Sequence, residues 1–296
     1  MKSKLMFVTA MLIFGSIGLF VRNIPISSGQ VAAVRGLIGS LYLLISGMVI
    51  KQKISWKQVK KSFVLLFLSG AAIGFNWIFL FRAYHFTTIA NATVSYYFAP
   101  VFVILFTPFI LKERLKLYKI FCLICAVIGM FLIVGIDSGN GWEQLTGVGY
   151  GLLAAILYAG AILINKFLKG LGGLETTLIQ LSIATIILIP YVIFTEEIAL
   201  GNLDIKSWVL LITLGIFHTG LAYLLYFTSI QRLNSQTIAI FSYIDPISAI
   251  LMSGLFLGER MTGIQMIGGI LILGAAFVSE NEFIYKKICK LPYLKK

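Results

Sequence analysis

The sequence predicts an all-α integral membrane protein with ten transmembrane helices, arranged as two inverted five-helix repeats. The first observation behind this prediction is composition: 59% of the 296 residues are hydrophobic, 12% are charged, and the mean hydropathy is +0.97. A soluble domain carries about 25% charged residues. The second observation is an internal repeat, and the third is the placement of the basic residues along the chain.

The apolar residues form long runs that are separated by short polar segments. A membrane-spanning helix needs about 20 mainly apolar residues. The runs are continuous rather than alternating, which favours helices over the strands of a barrel. The ten predicted spans are 5–22, 30–50, 62–82, 89–111, 117–136, 147–166, 174–195, 207–229, 235–257 and 263–283.

The two halves of the chain match one another at an offset of 146 residues. The clearest match starts at Gly74 and reaches Arg114 without a gap. The matching pairs are Gly74 and Gly220, Phe81 and Phe227, Tyr97 and Tyr243, Pro100 and Pro246, Leu111 and Leu257, Glu113 and Glu259, and Arg114 and Arg260. Glycine, tyrosine, proline and Glu-Arg matches in one register indicate a true repeat, and an internal repeat is a strong fold signal.

Five spans per repeat is an odd number, so the second repeat must enter the membrane from the side opposite to the first. We therefore predict a first repeat at 5–136, a polar linker at 137–146, an inverted second repeat at 147–283 and a basic cytoplasmic tail at 284–296. Inverted repeats are the architecture of many secondary carriers, which bind substrate near the bilayer midplane between the halves.

The basic residues indicate the orientation of the chain in the membrane. When the N-terminus is placed in the cytoplasm, most of the lysines and arginines fall in cytoplasmic loops, as the positive-inside rule requires. The outer loops carry the acidic residues Asp137, Glu143, Glu196, Glu197 and Asp204. Both termini are therefore predicted to be cytoplasmic, in the cytoplasmic membrane of a bacterial cell. The net charge of +13 is explained by contacts with anionic lipid headgroups, not by nucleic acid.

Two copies of one motif resemble the EamA family of the drug/metabolite transporter superfamily. They are SYYFAPVFVILFTPFILKERL at 95–115 and FSYIDPISAILMSGLFLGERM at 241–261, each an apolar helix with a central proline that ends in a Leu-x-Glu-Arg turn. Arg35 in the second span is also typical of the family. The resemblance covers about residue 5 to residue 280. It implies a ten-helix carrier that exports small metabolites such as amino acids.

Several charged or helix-bending residues occupy repeated positions. Pro100 and Pro246 lie mid-span, where each removes a backbone hydrogen bond and bends the helix, either as a paired hinge or as static shaping of the bundle. The Glu113-Arg114 and Glu259-Arg260 pairs lie at membrane edges, and we expect a structural role in which the acid steadies the next helix and the arginine reaches headgroups.

Arg35 and Asp245 are two charged residues that lie well inside predicted spans. Arg35 is expected to extend to the interface or to form a structural pair, although a substrate carboxylate is an alternative partner. Asp245 is near mid-bilayer, where an ionised side chain costs about 2.5–3.5 kcal/mol on insertion scales. It is therefore expected to line the pathway and contact an amine or carry a proton, the alternative being a local cap beside Pro246. Its counterpart in the first half is Ala99.

Polar and aromatic residues concentrate in the central spans of both halves. Cavities for small amphipathic ligands combine aromatic walls with a few fixed polar groups. For each tyrosine, a buried ring with one satisfied hydroxyl is the alternative. The candidate cavity residues are Asn76, Trp77, Asn91, Ser95, Tyr96, His218, Tyr223, Tyr243 and Asp245.

These features predict a secondary transporter that moves a small-molecule solute, with protons as a candidate coupling ion. No Walker A motif is present, so ATP is not expected to drive it directly. No cofactor and no metal are expected. Cys122 and Cys125 lie in an apolar run and are interpreted as small packing residues. His85 and His218 have no cluster of acidic residues near them in the sequence that could complete a metal site. The alternatives are a drug or toxic-compound efflux carrier and, from another class, a membrane-embedded enzyme of lipid metabolism.

Overall fold

The protein is helical throughout the part of the chain that its computed structural model describes. The described residues are 2–21, 23–51, 55–87, 89–134, 142–257 and 263–280. No strand occurs within these ranges. Glu259 and Arg260, residues 137–141 of the predicted linker, and the basic tail lie outside them.

The helices follow the predicted spans closely, with several breaks inside them. The first half contains α1 (Lys2–Gly15), α2 (Ile17–Val21), α3 (Ser28–Val49), α4 (Trp56–Lys61), α5 (Phe63–Phe86), α6 (Ile89–Tyr96), α7 (Ala99–Ile110) and α8 (Leu117–Val134). The second half contains α9 (Trp142–Asn165), α10 (Gly173–Thr195), α11 (Ile205–Thr213), a π-helical segment (Leu214–Leu221), α12 (Ala222–Ile230), α13 (Ser235–Phe241), α14 (Ile244–Leu257) and α15 (Gly263–Glu280).

Six helical stretches of the described chain are long and apolar enough to cross a membrane. They are Lys2–Val21, Ser28–Val49, Phe63–Phe86, Trp142–Asn165, Gly173–Thr195 and Ile205–Ile230. The other predicted spans fall on shorter or broken helices, so the count of ten stays a prediction. The all-α membrane fold itself is confirmed, because long apolar helices account for the regular structure and leave their apolar side chains on the surface.

The two repeated proline-containing spans are each split in two. The span at 89–111 breaks at Tyr97 and Phe98, and the span at 235–257 breaks at Ser242 and Tyr243. We expected the prolines to bend continuous helices. Instead Pro100 is the second residue of α7, where its missing N–H breaks no helical hydrogen bond. Pro246 lies likewise in the first turn of α14. A proline in the first turn suits the start of a new helix, which explains why each break precedes it.

The two breaks touch one another in the middle of the protein. The Tyr243 hydroxyl donates a hydrogen bond to the backbone carbonyl of Tyr97 at 3.1 Å, and these residues are 146 positions apart, which is the offset of the repeat. Residues related by a two-fold axis can contact each other only close to that axis. The two broken spans therefore cross near the centre of the bundle, which is where a substrate site is expected.

The halves interleave instead of forming two separate bundles. Helix α5 packs against α9 and α10, α1 packs against α12 and α14, and α6 and α7 pack against α9. Helix α3 packs against α10 and the π-helical segment, and α8 pairs with α15. Exchanging the two repeats maps this set of pairings onto itself, as expected for repeats related by a two-fold axis.

The α8–α15 pair depends on a glycine at its closest approach. A Cβ atom on Gly129 would lie 2.6 Å from the backbone oxygen of Gly268 and 2.8 Å from a side-chain carbon of Ile272. Small residues allow membrane helices to approach in this way. The contact with backbone is important, because a backbone oxygen cannot rotate away from an added methyl group.

We expect Gly129→Ala to lower the free energy of unfolding by about 1–3 kcal/mol, the usual cost of overpacking. The measurement is thermal unfolding of the purified protein in detergent. Gly274→Ala is the matched control on α15, since a Cβ there meets no atom within 4 Å. If both variants keep the wild-type stability, this close approach does not hold the pair together.

Candidate functional site

A cavity of about 340 Å³ lies between the two halves. Both repeats contribute to its wall, through α1, α2, α3, α5, α6 and α7 on one side and α9, α12, the break between α13 and α14, and α14 on the other. The lining residues are Met11, Phe14, Gly15, Ile17, Gly18, Arg35, Trp77, Leu80, Phe81, Tyr84, Thr93, Tyr96, Tyr97, Ala99, Pro100, Tyr158, Tyr223, Ser242, Asp245 and Ala249.

Aromatic rings form much of the wall. The ring of Tyr223 lies 5.0 Å from that of Phe14 and 6.2 Å from that of Trp77, both in edge-on contact. Across the cavity, the ring of Tyr96 lies 5.7 Å from that of Tyr158. Contacts of this geometry add stability beyond the burial of the rings. They give the cavity a firm apolar wall with hydroxyl groups at its edges.

Arg35 brings a cation to this wall. Its guanidinium lies 5.5 Å from the centre of the Trp77 ring, a cation–π contact, and its Nε is buried without a hydrogen-bond partner among the described residues. Helix α3 is held in place beside it, because a Cβ on Gly36 would lie 2.6 Å from the Thr185 hydroxyl of α10. Arg35 faces the cavity. This position is the one required if Arg35 binds a substrate carboxylate, which the sequence analysis gave as an alternative role.

Asp245 brings a carboxylate. It is the second residue of α14, at the break that precedes this helix, where the positive end of the helix dipole favours an acidic side chain. The Tyr97 hydroxyl hydrogen-bonds to its carboxylate. The Ser248 hydroxyl donates to its backbone oxygen at 2.8 Å, which steadies the first turn of α14. The crossing of the two broken spans therefore positions Asp245 at the cavity.

Four of the predicted cavity residues line the cavity, namely Trp77, Tyr96, Tyr223 and Asp245. Pro100, which was predicted as a hinge, also lines the cavity. Pro246 is buried and does not belong to the cavity lining. The four residues come from four different helices and from both halves. Their convergence is what a shared ligand site requires.

Three other predicted residues are engaged elsewhere. The Asn76 amide donates to the backbone oxygen of Ala154 at 2.7 Å and thereby joins α5 to α9. His218 in the π-helical segment pairs through Nε2 with the Ser16 hydroxyl at 2.8 Å, at the break between α1 and α2. The Tyr243 ring is buried, and its hydroxyl is used in the contact between the two breaks. Each of these side chains connects helices and does not face the cavity.

The remaining predicted residues lie outside the cavity or outside the described side chains. Ser95 is buried against α9, where a Cβ on Gly151 would lie 2.7 Å from its Cβ. Asn91 lies in α6, but its side chain is outside the described part. Glu113 and Arg114 lie in the segment between α7 and α8, and the Arg114 carbonyl accepts a hydrogen bond from Gln236 at 3.1 Å.

Sequence reasoning missed the contribution of the first helix. The chain breaks at Ser16, whose hydroxyl bonds to the carbonyl of Ile13 at 2.7 Å, and Phe14, Gly15 and Gly18 line the cavity beside the break. The signal was present as Gly-Ser-Ile-Gly in an otherwise apolar span. Small and polar residues of this kind often mark a helix interruption.

The cavity occupies one end of the bundle, and polar contacts close the other end. Helix α5 lines the cavity only from Trp77 onward, in its second half. In its first half, the buried Ser69 hydroxyl accepts hydrogen bonds from Gln180 at 2.6 Å and from Asn165 at 3.1 Å. The Gln180 amide also donates to Asn165 at 3.2 Å. This polar cluster joins α5, α9 and α10 at a distance along the helices from the lining of the cavity.

A second contact lies at the same closed end. The Lys119 ammonium of α8 donates to the Thr237 hydroxyl at 3.2 Å and to the Asn234 side chain at 3.4 Å, at the start of α13. The Asn234 side chain also caps α13 by accepting from the Thr237 N–H at 2.7 Å. First-half and second-half helices are thus tied together away from the cavity. Nowhere in the described ranges do three or more His, Cys, Asp or Glu side chains form a group that could hold a metal ion.

The chain matches known transporters in sequence. The model of the EamA-like transporter family matches residues 1–135 and again residues 145–280. A protein of Bacillus subtilis strain 168 named uncharacterized transporter YxxF is 33% identical over 267 residues, which cover 90% of this chain and 85% of that protein. An uncharacterized transporter of Archaeoglobus fulgidus is 25% identical over 280 residues, covering 93% of this chain and 95% of its own length.

The fold is also found among solved structures. One crystal structure of a protein superposes with a TM-score of 0.83 over 94% of this chain and 96% of that chain, at 18% sequence identity. This likeness concerns the fold. The family match over nearly the whole chain and the similarity to named transporters indicate a transport protein, not an enzyme. The chain is a multi-pass membrane protein that belongs to the EamA-like transporter family.

Proposed function

We propose that this protein is a secondary transporter that exports small metabolites, amino acids or related compounds, across the cytoplasmic membrane by alternating access. The observation that carries the proposal is the cavity between the two halves, which both halves line, with polar contacts that join the helices at the other end of the bundle. A volume of about 340 Å³ is at the lower end of the range for small-molecule sites, which suits a metabolite of amino-acid size.

Alternating access follows from the repeat. If the two repeats are inverted, each can adopt the conformation of the other, and the exchange moves the opening from one side of the membrane to the opposite side. The contacts at the closed end would then break while equivalent surfaces close around the present cavity. With the N-terminus in the cytoplasm, the cavity faces outward, because it lies at the end where α1 and α5 finish.

Energy for net export would come from a gradient. Asp245 is the carboxylate of the cavity, so a proton that binds there is the candidate coupling ion. The test is reconstitution of the purified protein in liposomes loaded with a mixed metabolite pool, with and without a pH gradient. We expect at least one pool member to cross faster than in protein-free liposomes, and the gradient to increase its rate.

Asp245→Asn separates transport from proton coupling in the same assay. We expect the variant to lose the response to the pH gradient, because an amide at this position neither binds nor releases a proton in the working range. Glu143→Gln is the matched control, since Glu143 is an exposed acid in the first turn of α9. Transport by Asp245→Asn that follows the pH gradient as in the wild type would exclude the proton role.

Efflux of cationic drugs is the second candidate, and the aromatic wall with its carboxylate favours it. Arg35 argues against it, because a cationic drug would meet a like charge in a cavity of limited size. Growth of expressing cells with toxic amino-acid analogues and with cationic dyes separates the two. Protection against the analogues alone supports metabolite export, and protection against the dyes alone supports drug efflux.

A further inference from the structure

The first membrane-spanning stretch consists of two parts that differ in how firmly they are packed. Helix α1 buries Phe7, Ala10 and Met11, and none of these residues is more than 2% exposed. None of the residues of α2, all of which the structure describes, is buried, and Ile17 and Gly18 line the cavity. Segments with few buried contacts move at the lowest cost in free energy. Helix α1 is therefore the fixed part of this stretch, and α2 is the part that can move.

The break at Ser16 is built like a hinge between these two parts. On its α1 side, Gly15 lies so close to α14 that an added Cβ would be 2.8 Å from the backbone nitrogen of Ala249. On its α2 side, a Cβ added to Gly18 would meet no atom within 4 Å. Hinges are a few residues at the ends of helices or strands that absorb changes in φ and ψ. The chain is thus held tightly before Ser16 and has space to move after it.

A histidine of the second repeat reaches this hinge from the π-helical segment. The Ser16 hydroxyl donates its proton to the Ile13 carbonyl at 2.7 Å. Its contact of 2.8 Å with Nε2 of His218 is therefore one in which the hydroxyl accepts and the imidazole donates. The imidazole ring also lies 4.7 Å from the ring of Phe20 in α2, in edge-on contact. His218 thus contacts both the hinge and the segment that follows it.

The positions that correspond to Ser16 and His218 in the other repeat carry residues that cannot form this hydrogen bond. At the offset of 146 residues, Ser16 corresponds to Ile162 and His218 corresponds to Ala72. Ile162 lies within the continuous helix α9, and Ala72 lies within the continuous helix α5. π-Helical turns are rare and occur frequently at functional sites. The break and the π-helical segment are therefore additions to the repeated scaffold, and one hydrogen bond joins them.

We propose that α2 is a gate of the cavity that turns about Ser16, and that His218 is the positioning residue that holds this gate open. The inference rests on the proposed alternating access, to which it adds a moving segment. The arrangement described here is the open position, because a side chain added at Gly18 would still meet open space in the cavity. When the hydrogen bond between Ser16 and His218 breaks, α2 can turn over that space.

The strength of one hydrogen bond suits a gate that opens and closes. The net contribution of such a bond to stability shifts a two-state equilibrium by roughly two- to tenfold. A ligand shifts the same equilibrium by binding one state better than the other. A bound ligand that prefers the closed state by a similar factor can therefore release α2, which a larger set of contacts would prevent.

The experiment measures how often the cavity side of α2 is accessible. Gly18→Cys places a thiol in the cavity, in a chain whose Cys122, Cys125 and Cys289 are replaced by alanine. A water-soluble maleimide labels this thiol on the purified full-length protein in detergent, and the labelling rate reports the open fraction when opening and closing are fast. We expect His218→Leu to lower the labelling rate by roughly two- to tenfold, because it removes the N–H donor.

Three further variants distinguish the hydrogen bond from a loss of packing. His218→Gln keeps an N–H donor and should keep most of the labelling rate. Ser16→Ala removes the other partner and should slow labelling as His218→Leu does. Because both act through one bond, the double variant should be no slower than either single variant, whereas independent packing defects would add. His85→Leu is the matched control, since His85 is exposed and lies outside the cavity lining, and it should leave the labelling rate unchanged.

Unchanged or faster labelling in His218→Leu and Ser16→Ala would overturn the gate, and so would losses that add in the double variant. Size-exclusion chromatography monitors folding, and Ser16→Ala, the smaller change, tests the gate by itself if His218→Leu does not fold. The result is separable from the proposed function, because labelling needs no transported solute. Absence of transport for every metabolite in the liposome pool would refute the transport proposal, whereas unchanged labelling in a protein that transports would refute the gate alone.

Discussion

Replacement of Gly18 by tryptophan is expected to abolish transport while the protein remains folded. Gly18 lines the cavity in the short helix α2, and a Cβ built on it meets no atom within 4 Å. The indole ring can therefore extend into the cavity without displacing backbone. A ring of this size takes up much of a volume of about 340 Å³ and leaves too little room for a substrate.

We expect the initial transport rate of Gly18→Trp in liposomes to fall to the background of protein-free vesicles. The matched control is Gly18→Ala, which adds a methyl group in open space and should transport at the wild-type rate. The elution volume in size-exclusion chromatography and the unfolding temperature monitor the fold of both variants. Full activity of a correctly folded Gly18→Trp protein would show that substrates follow another route.

Gly15→Ala is expected to have the largest effect on stability. Gly15 ends α1 where this helix crosses α14, and an added Cβ would overlap the Ser248 hydroxyl. It would also lie 2.8 Å from the backbone nitrogen of Ala249 and 2.8 Å from the backbone oxygen of Asp245. Helix propensity alone predicts the opposite sign, because alanine is more favourable than glycine by about 1 kcal/mol.

We expect packing to outweigh propensity, with a loss of about 3 kcal/mol in the free energy of unfolding, at the upper end of overpacking costs. Substrate binding should weaken as well, because α14 carries Asp245. Unfolding in denaturant and ligand titration measure the two effects. Gly160→Ala, whose Cβ meets nothing within 4 Å, is the control and should be neutral or stabilising.

A second substitution distinguishes the side-chain clash from the backbone clash. Ser248→Ala removes the hydroxyl that the new methyl group would overlap, but it leaves the two backbone atoms in place. We therefore expect Gly15→Ala combined with Ser248→Ala to regain only part of the lost stability. Complete recovery would mean that the α1–α14 crossing is limited by the serine and not by the approach of the two backbones.

Residue type alone identified some of the residues that line the cavity, but not all of its candidates lie there. Trp77, Tyr96, Tyr223 and Asp245 were expected at a cavity and line one. Asn76 and His218 have the same chemical character, yet their polar atoms bond to Ala154 and Ser16 between helices. A polar side chain inside a membrane protein can hydrogen-bond either to a neighbouring helix or to a ligand. The same residue types serve both purposes, so residue type alone does not tell them apart.

The broken spans show a similar division. The repeat placed Pro100 and Pro246 at equivalent positions, which correctly marked two unusual spans. A proline can lie at a kink within a helix or in the first turn of a new helix, and its fixed φ angle suits both positions. The sequence alone therefore does not tell which of the two occurs. Neighbouring contacts do, because the crossing of the two breaks through Tyr97 and Tyr243 stabilises helix ends at these points.

Hydropathy and self-similarity are properties of the linear chain, so the membrane class, the helical content and the family resemblance were readable without coordinates. The helix pairings, the position of the Ser16 break beside the cavity and the orientation of Arg35 toward the cavity required the folded protein. Their physical cause is packing between segments far apart in the chain: the side chains that meet Arg35 and Gly15 lie more than 40 and more than 200 residues away. No local pattern encodes which of those neighbours will be within reach.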